Sequence, residues 1–413
     1  MTIASHPLRA SAVAEMHLRQ MPPLTVPCRV RQTVRLPSAK ERAAERQAVE
    51  AMLGTADAKP DARHLSGSPD RGIALAWERH TEASTTLLVV SDGVDAETER
   101  RYIDWLEDLP GPVMRATLLD LVEDEAAALP LVAEAGFEAA ETVSCNIQGA
   151  RIWTNFRLAK GHDYGRMIVA AHDTHPADLA RTIQQLQELG NYRNLALLGL
   201  AVAQQRGAEV TAIERDLSAA TGRMGETADR KLLEGLTMLA AKVAALRAET
   251  EYRMSATAAY GQIVQDRLES LAPQPIAGFQ NLSEFTERRL LPALRTCASF
   301  RRRLEAVALR IEQTTAMLRT RVDLELQDQN AALLGSMERN AVRQLRLQHL
   351  VEGLSVIALT YYAIALLEKL LDAGQEAHWL PASAEKLAAL AILPVLVTFS
   401  LLVRWRAHRA EKL

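Results

Sequence analysis

The chain has 413 residues, a formal charge of −3 and 48% hydrophobic residues, which is more than one core usually organises and points to two soluble lobes plus an anchor. Charge is balanced only globally: residues 1–53 hold eight Lys/Arg against four Asp/Glu, and residues 54–150 hold seven against nineteen. An acidic stretch of that kind repels phosphate backbones, and no basic stripe interleaved with aromatics occurs, so nucleic acid is excluded as a partner. The start, MTIASHPLRASAVAEMH, has no continuous apolar run of the signal-peptide kind, and this end is expected to stay in the cytoplasm. Its basic residues are positioned to touch anionic lipid. Cys28, Cys145 and Cys297 lie far apart with no Cys-x-x-Cys, which argues against a zinc knuckle or a disulfide framework and fits a reducing compartment.

Residues 1–171 read as a cytoplasmic α/β domain. Short β-branched or apolar runs at Gly72–Trp77, Thr85–Val90, Val113–Leu119, Thr142–Ile147, Arg151–Leu158 and Arg166–Ala171 are predicted strands, with helices at about 38–53, 96–108 and 123–135. Helices fewer than strands predict a mixed rather than an all-parallel sheet. Residues 172–352 read as a helical bundle or stalk. A helix enters at His175-Pro176 and runs through Leu179, Ile183, Leu186, Leu189 and Leu195; others are expected at about Ala208–Met254 and Ser255–Leu271. A Pro/Gly break, APQPIAGFQN, follows at 272–281.

Residues 299–350 read as one long helix. Leu304, Val307, Ile311, Leu318, Val322, Leu326, Leu333 and Met337 form a narrow apolar seam at three- and four-residue steps, interrupted by Thr314, Gln329 and Asn340. Polar residues in such a seam lower stability while fixing register and partner number, so Gln329 and Asn340 are candidates for setting the register of a homo-oligomer. Packing within the chain accounts for the seam equally well.

Two uncharged stretches close the chain: fifteen residues between Glu352 and Glu368, and seventeen between Lys386 and Arg404. Spanning hydrocarbon takes about 20 residues, so a buried hairpin is one reading. Leu370 and Leu371 extend the first stretch once Lys369 snorkels, Trp379 and Trp405 sit at interfacial positions, and Arg339, Arg343, Arg346, Arg404, Arg406, Arg409 and Lys412 bracket the pair. These features favour transmembrane helices at 353–371 and 386–403, a periplasmic loop at 372–385 and a basic cytoplasmic tail at 404–413, with both termini cytoplasmic in a bacterial inner membrane. Glu352, Ser355 and Tyr362 share one helical face, interrupted by Leu359, and could line a pore or pack helices.

Catalytic signatures are sparse. There is no phosphate-binding Gly loop, no Gly-x-Ser-x-Gly elbow and no His-Glu-x-x-His, and no cofactor is expected. On Trp77–Glu82, strand alternation would set Glu78, His80 and Glu82 in a row able to hold a divalent metal, although solvated strand-face charges explain the same residues. His162, Asp163, His172, Asp173 and His175 also cluster, and a strand followed by a helix N-cap explains them more simply.

The segments HPLRASAVAEMHLRQMPPLTVPCRV, WERHTEAS, RIWTNFRL, DLARTIQQLQELGNYRNLALLGLAVA and RTRVDLELQDQNAALLGSMERNAVRQLRLQHLVEGLSVIALTYYA resemble a bacterial family of uncharacterised membrane-anchored proteins, the domain of unknown function 3422. The likeness implies anchoring and topology but no activity. The plan of an α/β lobe, a long helix feeding a first span, a short outer loop, a second span and a basic tail is also similar to CorA-type magnesium transporters, whose Gly-Met-Asn motif is absent here. The expectation is therefore a membrane-anchored, self-associating scaffold or regulatory protein that is not an enzyme. A CorA-like cation channel and a membrane-tethered metal-dependent enzyme are the alternatives.

Overall fold

The computed structural model describes residues 5–9, 13, 21–22, 24–55, 62–158, 163–223, 230–376 and 384–410. The chain divides into two units, Met1–Thr315 and Ala316–Leu413. Trp379, His162 and Lys412 lie outside the described residues.

The first unit is built on one mixed sheet. Its strands are β1 Cys28–Arg35, β2 His64–Asp70, β3 Ile73–Arg79, β4 Ser84–Ser91, β5 Val113–Val122, β6 Val143–Ile147, β7 Ala150–Leu158, β8 Gly165–Ala170 and the short β9 Gln274–Pro275. They run in the order β2-β3-β4-β1-β5-β8-β7-β6-β9, antiparallel except for the parallel pair β5/β8. The six strands expected from the sequence are present as β3 to β8. The sequence reading missed β1, β2 and β9, and β1 is the strand between β4 and β5. Three arginines in CRVRQTVR hide it, and each is engaged: Arg29 and Arg31 pair with Glu99 at 2.6 and 2.9 Å, and Arg35 is buried.

Alternation along these strands feeds two cores. Leu87 and Val89 of β4 and Met167 and Val169 of β8 point to one face, whereas Leu88, Val90, Ile168 and Ala170 point to the other. Helices α1 Ala39–Leu53 and α2 Ala96–Glu107 cover the second face over β3 and β4, and α3 Glu125–Glu134 covers it over β7 and β8. Each starts at a side-chain cap. Ser38 and Glu41 form a reciprocal capping box, while Asp95 and Asp124 accept from the backbone N–H of Thr98 and Ala127 at 2.9 Å.

The first face is closed by α4 Pro176–Arg223, α5 Arg230–Leu271 and the start of α6 Leu282–Glu376. Leu179, Ile183, Leu186, Leu189, Val264, Leu268 and Leu290 join the strand residues in one core, so the sheet is not sealed by the first 171 residues alone. The helix boundaries differ from expectation. α4 continues to Arg223, α5 runs unbroken through Met254–Ser255, and α6 begins at Leu282. Helical periodicity is insensitive to where a chain reverses, and Met254-Ser255 carries no breaking residue.

In the second unit, α6 continues to Glu376 and α7 spans Ala384–Ala410. Leu304, Val307, Ile311 and Leu318 of the expected seam are buried, but Leu326, Leu333 and Met337 are exposed, as are Gln329 and Asn340. The apolar window inside Leu282–Gly374 and the segment Lys386–Val403 have mean hydropathies of 1.9 and 2.3, and only 6% of each is buried. Less exposed positions recur at helical spacing in both: Val356, Thr360, Ala363 and Leu367 in α6, and Ala388, Ala391, Val395 and Phe399 in α7.

Candidate functional site

The row expected along Trp77–Glu82 is only partly assembled. β3 ends at Arg79, so alternation stops there, although Glu78 Oε1 and His80 Nδ1 remain 3.7 Å apart. His80 Nε2 lies 3.1 Å from the Thr85 hydroxyl. Glu82 lies in the turn before β4 and faces α5, where both its carboxylate oxygens accept from Arg253, at 2.9 and 2.5 Å. That bidentate pair ties the β3–β4 turn to the helix layer.

Among its described members, the histidine cluster is not gathered into a metal site. His172 Nε2 lies 3.9 Å from Glu125 Oε1, and His175 Nδ1 accepts from the Ala177 N–H at the start of α4. Among the described residues, no group of three or more His, Cys, Asp or Glu is placed to hold a metal ion. Glu352 lies on the less exposed side of α6, accepting from Gln348 at 3.2 Å, while Ser355 and Tyr362 lie on the exposed side.

The most unusual polar constellation was not foreseen from sequence. Arg115 projects from β5 toward α4 and is only 8% exposed. Its Nη1 donates to three amide oxygens: Gln32 Oε1 at 3.1 Å, Gln187 Oε1 at 2.8 Å and Asn191 Oδ1 at 2.6 Å. Gln187 Oε1 is itself held by the Thr117 hydroxyl at 3.0 Å. Gln187, Gly190 and Asn191 fall on one helical face, and Gly190 is required there. A Cβ at Gly190 would lie 2.5, 2.6 and 2.7 Å from Nη2, Cζ and Nε of Arg115. Those near-equal distances put the face of the guanidinium, not its edge, on the helix backbone.

No carboxylate compensates this cation among the described residues. Burial, followed by the neighbouring charge of Arg193, pushes the Arg115 guanidinium down to about 9. Arg193, from the next turn of α4, stacks on the Phe156 ring at 4.2 Å, and burial lowers it to about 10. Its Nη1 is sealed from solvent and has no partner among the described residues.

Arg115 and Arg193 line a cavity of about 650 Å³ under β5, β7 and β8. Arg35, Arg157 and Arg166 also line it, against Glu107 and Asp163 as the only acids among the described residues. These three arginines are engaged. Arg35 donates to the carbonyls of Gly111, Leu106 and Glu107, Arg157 pairs with Glu141, and Arg166 pairs with Asp120. The sequence signal was faint: one arginine inside the strand VMRATLLDLV, and a glycine inside the helical run QLQELGNYRN.

The family described as Protein of unknown function (DUF3422) matches residues 4–410. The chain belongs to that family. No curated protein matches the chain. Family membership therefore supplies neither a catalytic class nor a ligand.

Proposed function

We propose that this DUF3422 protein is a multi-pass protein of the bacterial inner membrane, held by helices at 353–371 and 386–403, with both termini in the cytoplasm and the loop 372–385 in the periplasm. Its first unit serves as a scaffold or regulatory module rather than an enzyme. The observation that carries this is the exposure of the two apolar segments. Leu354, Ile357, Leu366 and Leu370 of α6 and Leu390, Leu393, Leu401 and Leu402 of α7 are all more than half exposed. Removing side chains of this size from water is worth about 1.5–3 kcal/mol each, which sums to on the order of 20 kcal/mol for the two segments. Soluble monomers rarely leave so large an apolar surface in water, and a bilayer covers it. The recurring Thr360, Ala363, Ala388 and Ala391 positions are of the small or hydroxylated kind through which membrane helices pair.

Truncation after Arg346 should release the remaining chain into the soluble fraction, whereas the whole chain stays with carbonate-washed membranes. A truncated chain that also stays would overturn the anchor.

Self-association is the second part of the reading. Exposed Leu326, Leu333 and Met337, interleaved with exposed Gln329 and Asn340, are of the composition that a second copy covers. Replacing both Gln329 and Asn340 by Leu should raise thermal stability while broadening the distribution of oligomers seen by light scattering. An unchanged distribution would refute an oligomer registered by these residues.

A further inference from the structure

The cavity beneath β5, β7 and β8 has more positive charge than its own side chains neutralise. Arginine in a protein interior is ordinarily paired, because an unpaired buried charge costs several kcal/mol. Arg166 follows that rule through Asp120, and Arg157, at the exposed rim, pairs with Glu141. Arg115 and Arg193 do not. Arg115 spends Nη1 on three neutral amide oxygens, which leaves the Nε/Nη2 edge of its fork without an acceptor among the described residues. Arg193 is held by an aromatic face, which restrains a cation while leaving its in-plane donors uncommitted. Two cations with uncommitted donors on one cavity of about 650 Å³ form a receptor for an oxoanion, and that volume is within the range of small-molecule sites.

We propose that this cavity binds a phosphate-bearing ligand through the guanidinium groups of Arg115 and Arg193, with Gly190, Gln187 and Asn191 acting as positioning residues for Arg115. The planar fork presents two parallel N–H groups, a geometry that matches phosphate oxygens bidentately. Phe156, stacked at 4.7 Å on Phe285 of α6, fixes the second guanidinium from behind. The recognised chemistry is the phosphate group itself. It can be carried by a soluble metabolite or by a phospholipid headgroup.

The experiment is calorimetric titration of the whole chain with inorganic pyrophosphate, first in an uncharged detergent and then in phosphatidylcholine nanodiscs with and without phosphatidylglycerol. Saturable binding with a Kd below about 1 mM is expected. Arg193→Gln, which keeps size and hydrogen-bonding capacity but removes the charge, should weaken it at least about tenfold, since a charge-assisted hydrogen bond contributes about 1.5–3 kcal/mol. Asn194→Asp tests the same point without deleting a cation, because it adds a negative charge to the cavity wall. It too should weaken binding at least about tenfold, and it keeps the test decisive if R193Q does not fold. Loss of pyrophosphate binding only when phosphatidylglycerol is present identifies a lipid headgroup as the ligand source; equal binding in both nanodiscs identifies a soluble phosphate. Absence of saturable binding in every medium, or binding that R193Q and N194D leave unchanged, overturns the site.

Discussion

The contact of α4 with α5 depends on Gly199, and substituting it gives a prediction whose sign is set by two opposing terms. A Cβ at that position would meet Thr257 of α5 at 2.9 Å from its Cβ and 3.1 Å from its Cγ2, and closer still at its hydroxyl. Thr257 is 1% exposed and donates to the Ala196 carbonyl at 3.2 Å, so it has no free rotamer to retreat into. Gly199→Ala gains about 1 kcal/mol of helix propensity. Against this stand about 1–3 kcal/mol for overpacking and about 1 kcal/mol for the displaced hydrogen bond. Net destabilisation by about 1–3 kcal/mol follows. Gly207, two turns further along α4, is the internal control, because nothing lies within 4 Å of its virtual Cβ. Gly207→Ala should stabilise by up to about 1 kcal/mol. Urea unfolding of the two variants beside the parent, followed by circular dichroism, should separate them by about 1–4 kcal/mol. Adding Thr257→Ala to the Gly199→Ala chain removes the hydroxyl and methyl but not the Cβ, and should recover part of the loss as a coupling of about 0.5–3 kcal/mol. If G199A proves as stable as G207A, the close helix contact does not exist as described.

Two further predictions concern buried groups of the first unit. Burial raises the Glu45 carboxyl above its ordinary 4.5, a shift only partly offset by the Ser84 hydroxyl, which donates at 2.6 Å, and by Arg35 and Arg42. A carboxyl raised on folding favours the native state below the unfolded value and loses that contribution as pH rises through the folded one. Glu45→Gln should therefore stabilise the protein more at pH 7 than at pH 4 in paired unfolding curves, and a gain confined to pH 4 would refute the assignment. All three native cysteines are buried, and burial pushes the Cys28 and Cys145 thiols up to about 12, so the native chain should resist an impermeant maleimide until it is unfolded. On that silent background, Gln375→Cys should label in intact cells and Lys412→Cys should not; the reverse would sink the proposed topology.

Features that depend on neighbours a few residues away are legible in the amino-acid order alone. Period-2 runs located β3 to β8, apolar patterning located the helices at about 38–53, 96–108 and 123–135, and hydropathy located the two apolar segments before and after residues 372–385. A charged strand such as β1 was hidden because its arginines are accommodated by Glu99 on α2 and by backbone carbonyls beside Gly111, which are distant in sequence. The Glu78, His80 and Glu82 row depended on a strand continuing past Arg79, and the pull of Arg253, a residue 171 positions away, decided where Glu82 points. The arginine-lined cavity is the extreme case. Arg115 receives its acceptors from Gln32, 83 residues earlier, and from Gln187 and Asn191, more than 70 residues later, so nothing local to VMRATLLDLV could announce it. Periodicity reports which face of an element is apolar, whereas a buried charge is defined by what the fold brings, or fails to bring, within hydrogen-bond reach.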